Sequence, residues 1–259
     1  WCIRPAGLVQ CLRRRNDRMK LIVTGSYEES SRIAADMFEE VIINKKNPLL
    51  GCATGSTPIG LYQCLTEDYR AGKIDFSGVR TINLDEYAGL TKSHSQSFGY
   101  FMEQQLFSKV NIKKENIMLI DGAAQAEDQC RDYDRFLEQN EIDILVLGIG
   151  NNGHIGFNEP SHVFTAKTHV VELEEETIKA NSRFFGGEDE VPKKAVTMGM
   201  AGITGAGKVV LIAAGAAKAE AIGKLLADDY IDPMLPCSIL KICRDVTVII
   251  DKELEAAMR

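Results

Sequence analysis

Apolar runs alternate with amphipathic segments along most of this chain. The runs that predict strands are 21–23, 49–53, 79–84, 117–119, 142–147, 195–198, 209–213 and 246–250. Helices are predicted between them, after Ser26, from Pro58, from about Ser97 and, as a polar helix, through Tyr133; in the first of these Ile33, Met37 and Val41 recur at helical spacing. Ser26, followed three residues later by Glu29, matches the capping box that begins a helix. Apolar strands that alternate with helices predict a single-domain α/β fold, with a Rossmann-like, mostly parallel sheet covered on both faces.

The segment before Met19 does not fit this pattern. It begins without Met, includes three consecutive arginines and joins a strand pattern only at Lys20. A signal peptide would need a longer apolar region and a small-residue cleavage site. We interpret residues 1–18 as a non-native or disordered leader, with a functional basic arm as the alternative. Residues 19–259 are expected to form one domain, since no Pro/Ser-rich linker, low-complexity tract or internal repeat divides them.

Composition and charge narrow the classes of function. The 259 residues are 45% hydrophobic and 26% charged, as in a soluble globular protein, and the net charge of −7 argues against nucleic acid as the main partner. No apolar run approaches the ~20 residues that span a bilayer. The seven cysteines are scattered, odd in number and without zinc-type spacing, which favours a reducing, cytoplasmic compartment.

The loop 53–60, which follows a predicted strand, has the composition of an anion site. Its small residues allow backbone N–H groups to converge, its hydroxyls add donors, and Pro58 starts a helix whose positive end faces the loop. The residues predicted to bind a phosphate are Thr54, Gly55, Ser56 and Thr57. The alternative is a plain cap by Thr57 with Pro58 at the first helical position. The loop lacks a P-loop lysine and dinucleotide glycine spacing, so no nucleotide is implied.

Two adjacent carboxylates, Asp85 and Glu86, follow the predicted strand 79–84. Burying two charges without a use is expensive, so we expect one carboxylate to face a cleft as a proton-transfer base while the other caps or pairs. The alternative is a solvated turn at the end of the strand.

The most unusual segment is 148–160, which combines four glycines with a histidine, three asparagines and a glutamate. It costs conformational entropy to order, buries little apolar surface, and follows a strand, where α/β proteins place their active sites. Histidine titrates near neutral pH, and Glu159 lies close enough along the chain to orient His154, so both are predicted to be catalytic. The alternative is a structural histidine. A metal site is not predicted, because no second histidine lies at ligand spacing.

Two cations complete the predicted site. Arg183 lies beside an aromatic pair and a flexible Gly186-Gly187, and Lys218 follows a strand and begins a helix. Both could be ordinary surface charges, as most Arg and Lys side chains are. In the functional interpretation they clamp the phosphate bound by the loop 53–60, with Arg183 reaching from a mobile lid.

Four of these motifs, in order along the chain, resemble those of the glucosamine-6-phosphate deaminase family: 53–58, 83–87, 148–160 and 180–185. The resemblance extends from Met19 to about Asp251, and the last two motifs are highly specific. It implies conversion of glucosamine 6-phosphate and water to fructose 6-phosphate and ammonia, in amino-sugar catabolism, by an enzyme without a metal or organic cofactor.

The resemblance also implies a role for each matched residue. Asp85 would move a proton between C2 and C1 through a cis-enolamine, and His154 would assist opening of the sugar ring while Glu159 holds its imidazole. The residues that would hold the phosphate are Ser56, Thr57, Arg183 and Lys218. Many members carry Asp where this chain has Asn152. Since an amide cannot accept a proton, His154 would depend on Glu159 for electrostatic support.

A second departure from the family pattern concerns regulation. Allosteric members bind N-acetylglucosamine 6-phosphate at a subunit interface through basic residues just after the Asn-Glu-Pro motif, where this chain, at 165–171, has fewer cations. The chain also lacks, after its last strand, the C-terminal extension of the hexameric type. We therefore expect a monomer or small homo-oligomer without strong allosteric activation.

Two other functions fit part of the sequence. A 6-phosphogluconolactonase-like hydrolase shares the expected fold and explains the phosphate loop, but it gives Asp85 no role in enolamine proton transfer. A non-catalytic sugar-phosphate sensor would explain binding alone, and the intact set of Asp85, His154 and Glu159 argues against it. The expected partner is a small sugar phosphate, with no nucleic acid and no membrane.

Overall fold

The computed structural model describes residues 10–13, 19–173, 175, 178, 179, 182 and 185–259. The strands among these residues are β1 (Gln10–Arg13), β2 (Met19–Thr24), β3 (Leu49–Cys52), β4 (Arg80–Asn83), β5 (Asp85–Tyr87), β6 (Ile117–Met118), β7 (Ile144–Leu147), β8 (His169–Glu172), β9 (Lys194–Thr197), β10 (Val209–Ala213) and β11 (Val246–Asp251). The helices among them are α1 (Tyr27–Asn44), α2 (Ile59–Arg70), α3 (Phe98–Gln105), α4 (Ala126–Gln139), α5 (Met200–Thr204), α6 (Ala219–Ala227) and α7 (Lys252–Ala257).

The predicted Rossmann-like sheet is present and mostly parallel. Its strand order is β1-β2-β11-β10-β7-β3-β4-β6, and each neighbouring pair is parallel except β1 with β2. The central strands β3, β7 and β10 are buried at every residue, as expected for a parallel sheet covered on both faces. The predicted α/β fold class is therefore confirmed.

The helices cover the sheet from both sides. Right-handed connections place α1 and α2, which pack against each other, on one face, and α4 and α6 on the other. The predicted capping box is present, since the Ser26 hydroxyl accepts the N–H of Glu29 at the start of α1. A β-carbon at Gly60 would lie 2.2 Å from Ser31 Oγ, so glycine is required where α2 meets α1.

A second, three-stranded antiparallel sheet, in the order β5-β9-β8, lies beside the first. The strand near 195–198 was predicted, but its assignment to the parallel sheet was wrong. It is β9, which pairs antiparallel with β5 and β8. Asp85–Tyr87, soon after β4, form β5 and are buried, so the alternative of a solvated turn at Asp85 and Glu86 is wrong. Nothing in the sequence indicated β8, because His169–Glu172 has mixed polarity and its residues are half-buried or exposed.

The order of the main sheet places a crevice between β3 and β7. From β3 the chain continues to β4 on one side, whereas from β7 it continues to β10 on the other. In α/β sheets the carboxyl ends of the strands open into a ligand crevice where the direction of winding reverses. The loops that follow β3, β4, β7 and β10 are those in which the sequence predicted functional residues, so the fold brings them to one edge.

Part of the predicted leader lies in the main sheet. Residues 10–13 form β1, which pairs antiparallel with β2. Residues 1–9 and 14–18 lie outside the described part of the chain, and the non-native origin of residues 1–18 stays a prediction. Within the described chain, no helix is both long enough and apolar enough to cross a bilayer.

Candidate active site

The loop after β7 holds His154 in a tight turn. The N–H of Gly150 donates to the carbonyl oxygen of His154 at 2.9 Å, and the N–H of Gly153 donates to that of Gly150 at 3.1 Å. Gly153 has φ +86°, a conformation that favours glycine. A β-carbon at Gly150 would lie 2.2 Å from Nδ1 and Cε1 of His154. The position of the imidazole therefore requires glycine at residue 150.

The predicted contact between His154 and Glu159 is present. Nδ1 of His154 lies 3.1 Å from Oε1 of Glu159, although the two are not aligned as a hydrogen bond. Oε2 of Glu159 accepts a hydrogen bond from the Asn152 side-chain amide at 2.7 Å. The side-chain oxygen of Asn152, Oδ1, in turn accepts the backbone N–H of His154 at 3.1 Å. Asn152 thus connects the carboxylate to the loop backbone, which an aspartate would do only with its charge facing that of Glu159.

The same loop packs against Asp85, which lies at the start of β5. Gly156 has φ +59°, and a β-carbon there would lie 3.0 Å from Thr197 Oγ1 and 3.4 Å from Asp85 Oδ2. Thr197 pairs with Asp85 across β5 and β9, and its hydroxyl accepts the N–H of Phe157 at 3.1 Å. Glycine at 156 therefore allows the histidine loop to reach the carboxylate predicted as the base.

The two adjacent carboxylates have different surroundings. Asp85 is 7% exposed, and no residue in the described part of the chain donates a hydrogen bond to its side chain. Burial first, and then the charge of Glu86, raises the pKa of Asp85 to about 8. Glu86 instead accepts three backbone N–H groups, one from Tyr87 in β5 and two from the start of α3. The expectation that one of the pair caps is confirmed, and the role of Asp85 as a base stays a prediction.

The helix that follows the phosphate loop begins without a side-chain cap from that loop. Its first residue is Ile59, so Pro58 lies one position earlier than predicted, and Thr57 does not cap. The Tyr27 hydroxyl instead accepts the N–H of Gly60 at 2.8 Å. The alternative interpretation of Thr57 as a helix cap is therefore wrong.

The predicted phosphate loop itself is open to ligand. Gly55 and Ser56 are exposed, and Thr54 and Thr57 are half-buried. Gly55 adopts φ +87°, and no atom of the described residues lies within 4 Å of the position that a β-carbon would take there. A β-carbon at Gly148 would lie 3.6 Å from Thr57 Oγ1, so this loop borders the start of the histidine loop. The loops after β3 and β7 thus form two walls of the crevice.

Lys218 brings a positive charge to the same edge of the sheet. It ends a short 3-10 turn, Ala216–Lys218, that follows β10, the neighbour of β7. Its side chain is half-buried, burial lowers its pKa, and no carboxylate of the described residues pairs with it. A half-buried cation without a protein counter-ion favours an anionic ligand. Arg183, the other predicted phosphate ligand, lies outside the described residues.

An aromatic cluster that the sequence analysis missed connects the parts of the site. The ring centroid of Tyr87, in β5, lies 4.8 Å from that of Phe98 in α3 and 5.8 Å from those of Phe157 and Phe185. Phe157 belongs to the histidine loop, and Phe185 follows Arg183 by two residues. Each segment contributes a single ring, so no local pattern could have revealed the cluster.

No metal site is evident in the part of the chain that the structure describes. There, no three side chains of His, Cys, Asp or Glu converge in a way that could hold an ion. The arrangement instead offers a buried carboxylate, an imidazole supported by a second carboxylate, and a cationic, glycine-rich crevice. Such a set can transfer protons on a small anionic molecule.

Comparison with known protein families gives a match over most of the chain. The sequence model described as "Glucosamine-6-phosphate isomerases/6-phosphogluconolactonase" matches residues 27–249. A glucosamine-6-phosphate deaminase of Thermoanaerobacter sp. (strain X514) is 50% identical over 237 residues, which are 91% of this chain and 93% of that protein. The enzyme of the same name from Clostridium botulinum (strain Loch Maree) is 47% identical, over 91% of this chain and 97% of its own.

Solved structures show the same relationship. The structure of a monomeric glucosamine-6-phosphate deaminase superposes with a TM-score of 0.88 at 41% identity, covering 92% of this chain and 99% of the other. A 6-phosphogluconolactonase from Thermotoga maritima superposes with a TM-score of 0.71 at 20% identity, covering 91% and 99%. At that identity the second likeness concerns the fold alone.

Replacing Asp85 by Asn should stabilise the fold near pH 8. The pKa of Asp85 is raised above its unfolded value of about 3.9, so ionisation in the unfolded chain opposes folding increasingly from about pH 4 to pH 8. We expect Asp85→Asn to raise the free energy of unfolding by roughly 1–3 kcal/mol at pH 8, with little gain at pH 4. Urea denaturation at both pH values measures this.

The matched control for this substitution is Asp75→Asn. Asp75 is exposed, and its hydrogen bonds to Ser77 and Asn111 lower its pKa, so neutralising it should not stabilise the protein at pH 8. A loss of stability in Asp85→Asn that is equal at pH 4 and pH 8 would contradict the assignment of Asp85 as a disfavoured buried charge.

Proposed function

The chain belongs to the family of glucosamine-6-phosphate isomerases and 6-phosphogluconolactonases, and on this basis we propose that it is a glucosamine-6-phosphate deaminase. In this reaction glucosamine 6-phosphate and water give fructose 6-phosphate and ammonia, by a hydrolytic deamination that includes an aldose–ketose isomerisation. The observation that carries the proposal is the packing of the His154 loop against Asp85, beside a loop suited to phosphate. Relatives near 50% identity bear this name, whereas the lactonase likeness extends only to the fold.

Ring opening is the first step of the proposed reaction. His154 removes the proton of the anomeric hydroxyl and delivers a proton to the ring oxygen, which breaks the bond between C1 and that oxygen. Glu159, 3.1 Å from the imidazole of His154, stabilises the protonated imidazole, and the side-chain amide of Asn152 holds Glu159 in place. About a third of the His154 side chain is exposed, which leaves part of the imidazole accessible to a sugar.

Asp85 carries out the isomerisation in this proposal. The ionised carboxylate takes the proton from C2 while a proton of the C2 ammonium moves to the C1 oxygen, which gives a cis-enolamine. Return of the proton from Asp85 to C1 regenerates the carboxylate and leaves an iminium at C2. Water adds to C2, the protons of that water pass to the nitrogen, and ammonia departs, so the ketone forms. A base whose pKa is raised to about 8 accepts a carbon-bound proton more readily than an ordinary carboxylate. These proton transfers call for no cofactor.

The phosphate anchor is proposed to be the loop Thr54, Gly55, Ser56 and Thr57 together with Lys218. The hydroxyl groups of the loop, the positive end of α2 and the Lys218 ammonium, with which no carboxylate of the described residues pairs, all favour an anion at this edge. Arg183 stays a proposed ligand from the family resemblance. The anchor fixes the far end of the sugar, so that C1 and C2 meet Asp85.

Turnover of glucosamine 6-phosphate tests the proposed function directly. We expect ammonia and fructose 6-phosphate in equal amounts, and neither product from unphosphorylated glucosamine. Asp85→Asn should lower kcat by at least about 10³-fold, because the carbon-bound proton then has no acceptor. Binding of the sugar phosphate to this variant, measured by calorimetry, should stay within about threefold of the wild type. Normal turnover by Asp85→Asn would contradict the mechanism, and binding without turnover by the wild type would favour a sensor.

The phosphate anchor is tested at Lys218. Replacing it by Met removes the charge and keeps much of the side-chain volume, so KM for glucosamine 6-phosphate should rise by about 10- to 100-fold. The matched control is Lys224→Met, since Lys224 lies in the following helix, is exposed and pairs with Glu220. Equal KM values for the two variants would show that Lys218 does not bind the phosphate.

We further propose that the protein is a cytoplasmic monomer or small homo-oligomer without strong allosteric activation. The five cysteines whose side chains are described are free, and the similar deaminase of known structure is monomeric. A cavity of about 140 Å³ has two carboxylates, those of Glu159 and Glu172, in its lining, a poor environment for a second phosphate. We expect hyperbolic kinetics that N-acetylglucosamine 6-phosphate does not change. Sigmoidal kinetics relieved by that compound, or a hexamer by light scattering, would refute this.

A further inference from the structure

Glu86 is a buried carboxylate that the reaction scheme leaves without a task. It is 2% exposed, and its Oε1 accepts the N–H groups of Tyr87 at 2.9 Å and Phe98 at 3.0 Å. Its Oε2 accepts the N–H of Gly99 at 2.9 Å. Two of these donors belong to the first turn of α3, where the helix dipole also favours a negative charge. Glu86 therefore ties β5 to α3 through two charge-assisted hydrogen bonds, and the third, from Tyr87, lies within β5.

The same contacts decide which of the two adjacent carboxylates keeps its charge. Because both carboxylates are buried on adjacent residues, the charge of one disfavours ionisation of the other, so the ionised form concentrates on the side chain with more hydrogen bonds. Glu86 has three backbone donors, whereas no described residue donates to the Asp85 side chain. The arrangement holds the anion on Glu86 and leaves Asp85 as the group that exchanges its proton.

The other groups that face this pair do not offset the charge of Glu86. Tyr87 and Tyr133 are buried phenols whose pKa values are raised by burial first and then by the carboxylates, so both stay neutral. Burial raises the pKa of Glu86 as well and Asp121 adds to that rise, whereas the three backbone N–H groups lower it. Among the described residues, no lysine, arginine or histidine forms an ion pair with Asp85 or Glu86.

We propose that Glu86 is a positioning residue that acts through Asp85: its buried charge strengthens the base, and its bonds to α3 hold β5, on which the base lies. The proposal rests on the proposed function, in which Asp85 moves the proton between C2 and C1. A carboxylate beside a fixed negative charge takes up a proton more readily, as removal of a proton from carbon requires. Glu86 touches neither substrate nor reacting atoms in this account.

The pH dependence of kcat/KM in Glu86→Gln tests the electrostatic part of this role. The amide keeps the size of the side chain and one acceptor oxygen but removes the charge. We expect the acidic limb of the profile to move to lower pH by roughly 0.5–1 unit. The ratio of variant to wild-type kcat/KM should therefore rise about three- to tenfold as the pH falls from about 9 to about 6. Ionisations of the substrate are common to both enzymes and cancel in this ratio.

Ser97→Ala is the matched control. The Ser97 hydroxyl caps the same turn of α3 by accepting the N–H of Tyr100 at 3.0 Å, so its loss perturbs the helix without changing any charge. The acidic limb of Ser97→Ala should stay at the wild-type pH. The proposal would be overturned if the acidic limb of the kcat/KM profile of Glu86→Gln stayed in place or moved to higher pH. An equal movement of this limb in Ser97→Ala would overturn it too.

A second measurement uses the wild-type protein and requires neither folding of a variant nor turnover. Carboxyl ¹³C NMR should show Glu86 ionised throughout the pH range in which Asp85 titrates. The proposal would be overturned if Glu86 took up its proton at a higher pH than Asp85. It would also be overturned if Asp85 titrated in the ordinary pH range of a carboxyl group. Absence of deaminase turnover with the expected titration order would instead defeat the proposed function and leave the assignment of the charge standing.

Discussion

The site depends on the close approach of backbone at two glycines of the histidine loop. Gly150 leaves room for the imidazole of His154, and Gly156 lets the loop lie against Asp85 and Thr197. A β-carbon at Gly150 would occupy the space of the imidazole, and one at Gly156 would lie 3.0 Å from Thr197 Oγ1 in a backbone conformation that favours glycine. The crevice between β3 and β7 supplies the place, but contact at these glycines makes one site out of separate strand ends.

The second constraint is the unfavourable burial of Asp85. A carboxylate without hydrogen-bond donors destabilises the fold when it is ionised, and this cost accompanies the raised pKa that suits it to accept a proton from carbon. Glu86 is buried to the same extent yet well supplied with donors. Adjacent residues of the same chemistry thus take opposite roles because one faces the loop and the other faces the start of a helix.

Local sequence predicted the elements and the chemistry better than it predicted the contacts. The run 209–213 coincides with β10, since a buried parallel strand has an unmistakable pattern. The run at 195–198 looked the same, yet it belongs to the antiparallel sheet, because an apolar strand does not reveal its partner. The contact of Gly156 with Asp85 depends on the pairing of β5 with β9, so it could not be predicted from the sequence. The sequence indicated only that Asn152 lacks the charge of an aspartate. The structure shows that its amide bonds both Glu159 and the backbone N–H of His154.

In the proposed reaction a sugar phosphate spans the crevice from the loop after β3 to Asp85. A crystal structure of the Asp85→Asn variant with glucosamine 6-phosphate would show this position. We expect the phosphate at Ser56, Thr57 and Lys218, with C1 and C2 within about 3.5 Å of the side chain at residue 85. We also expect the sugar ring oxygen next to His154. A phosphate bound away from this loop, or a sugar whose C2 does not approach residue 85, would contradict the account.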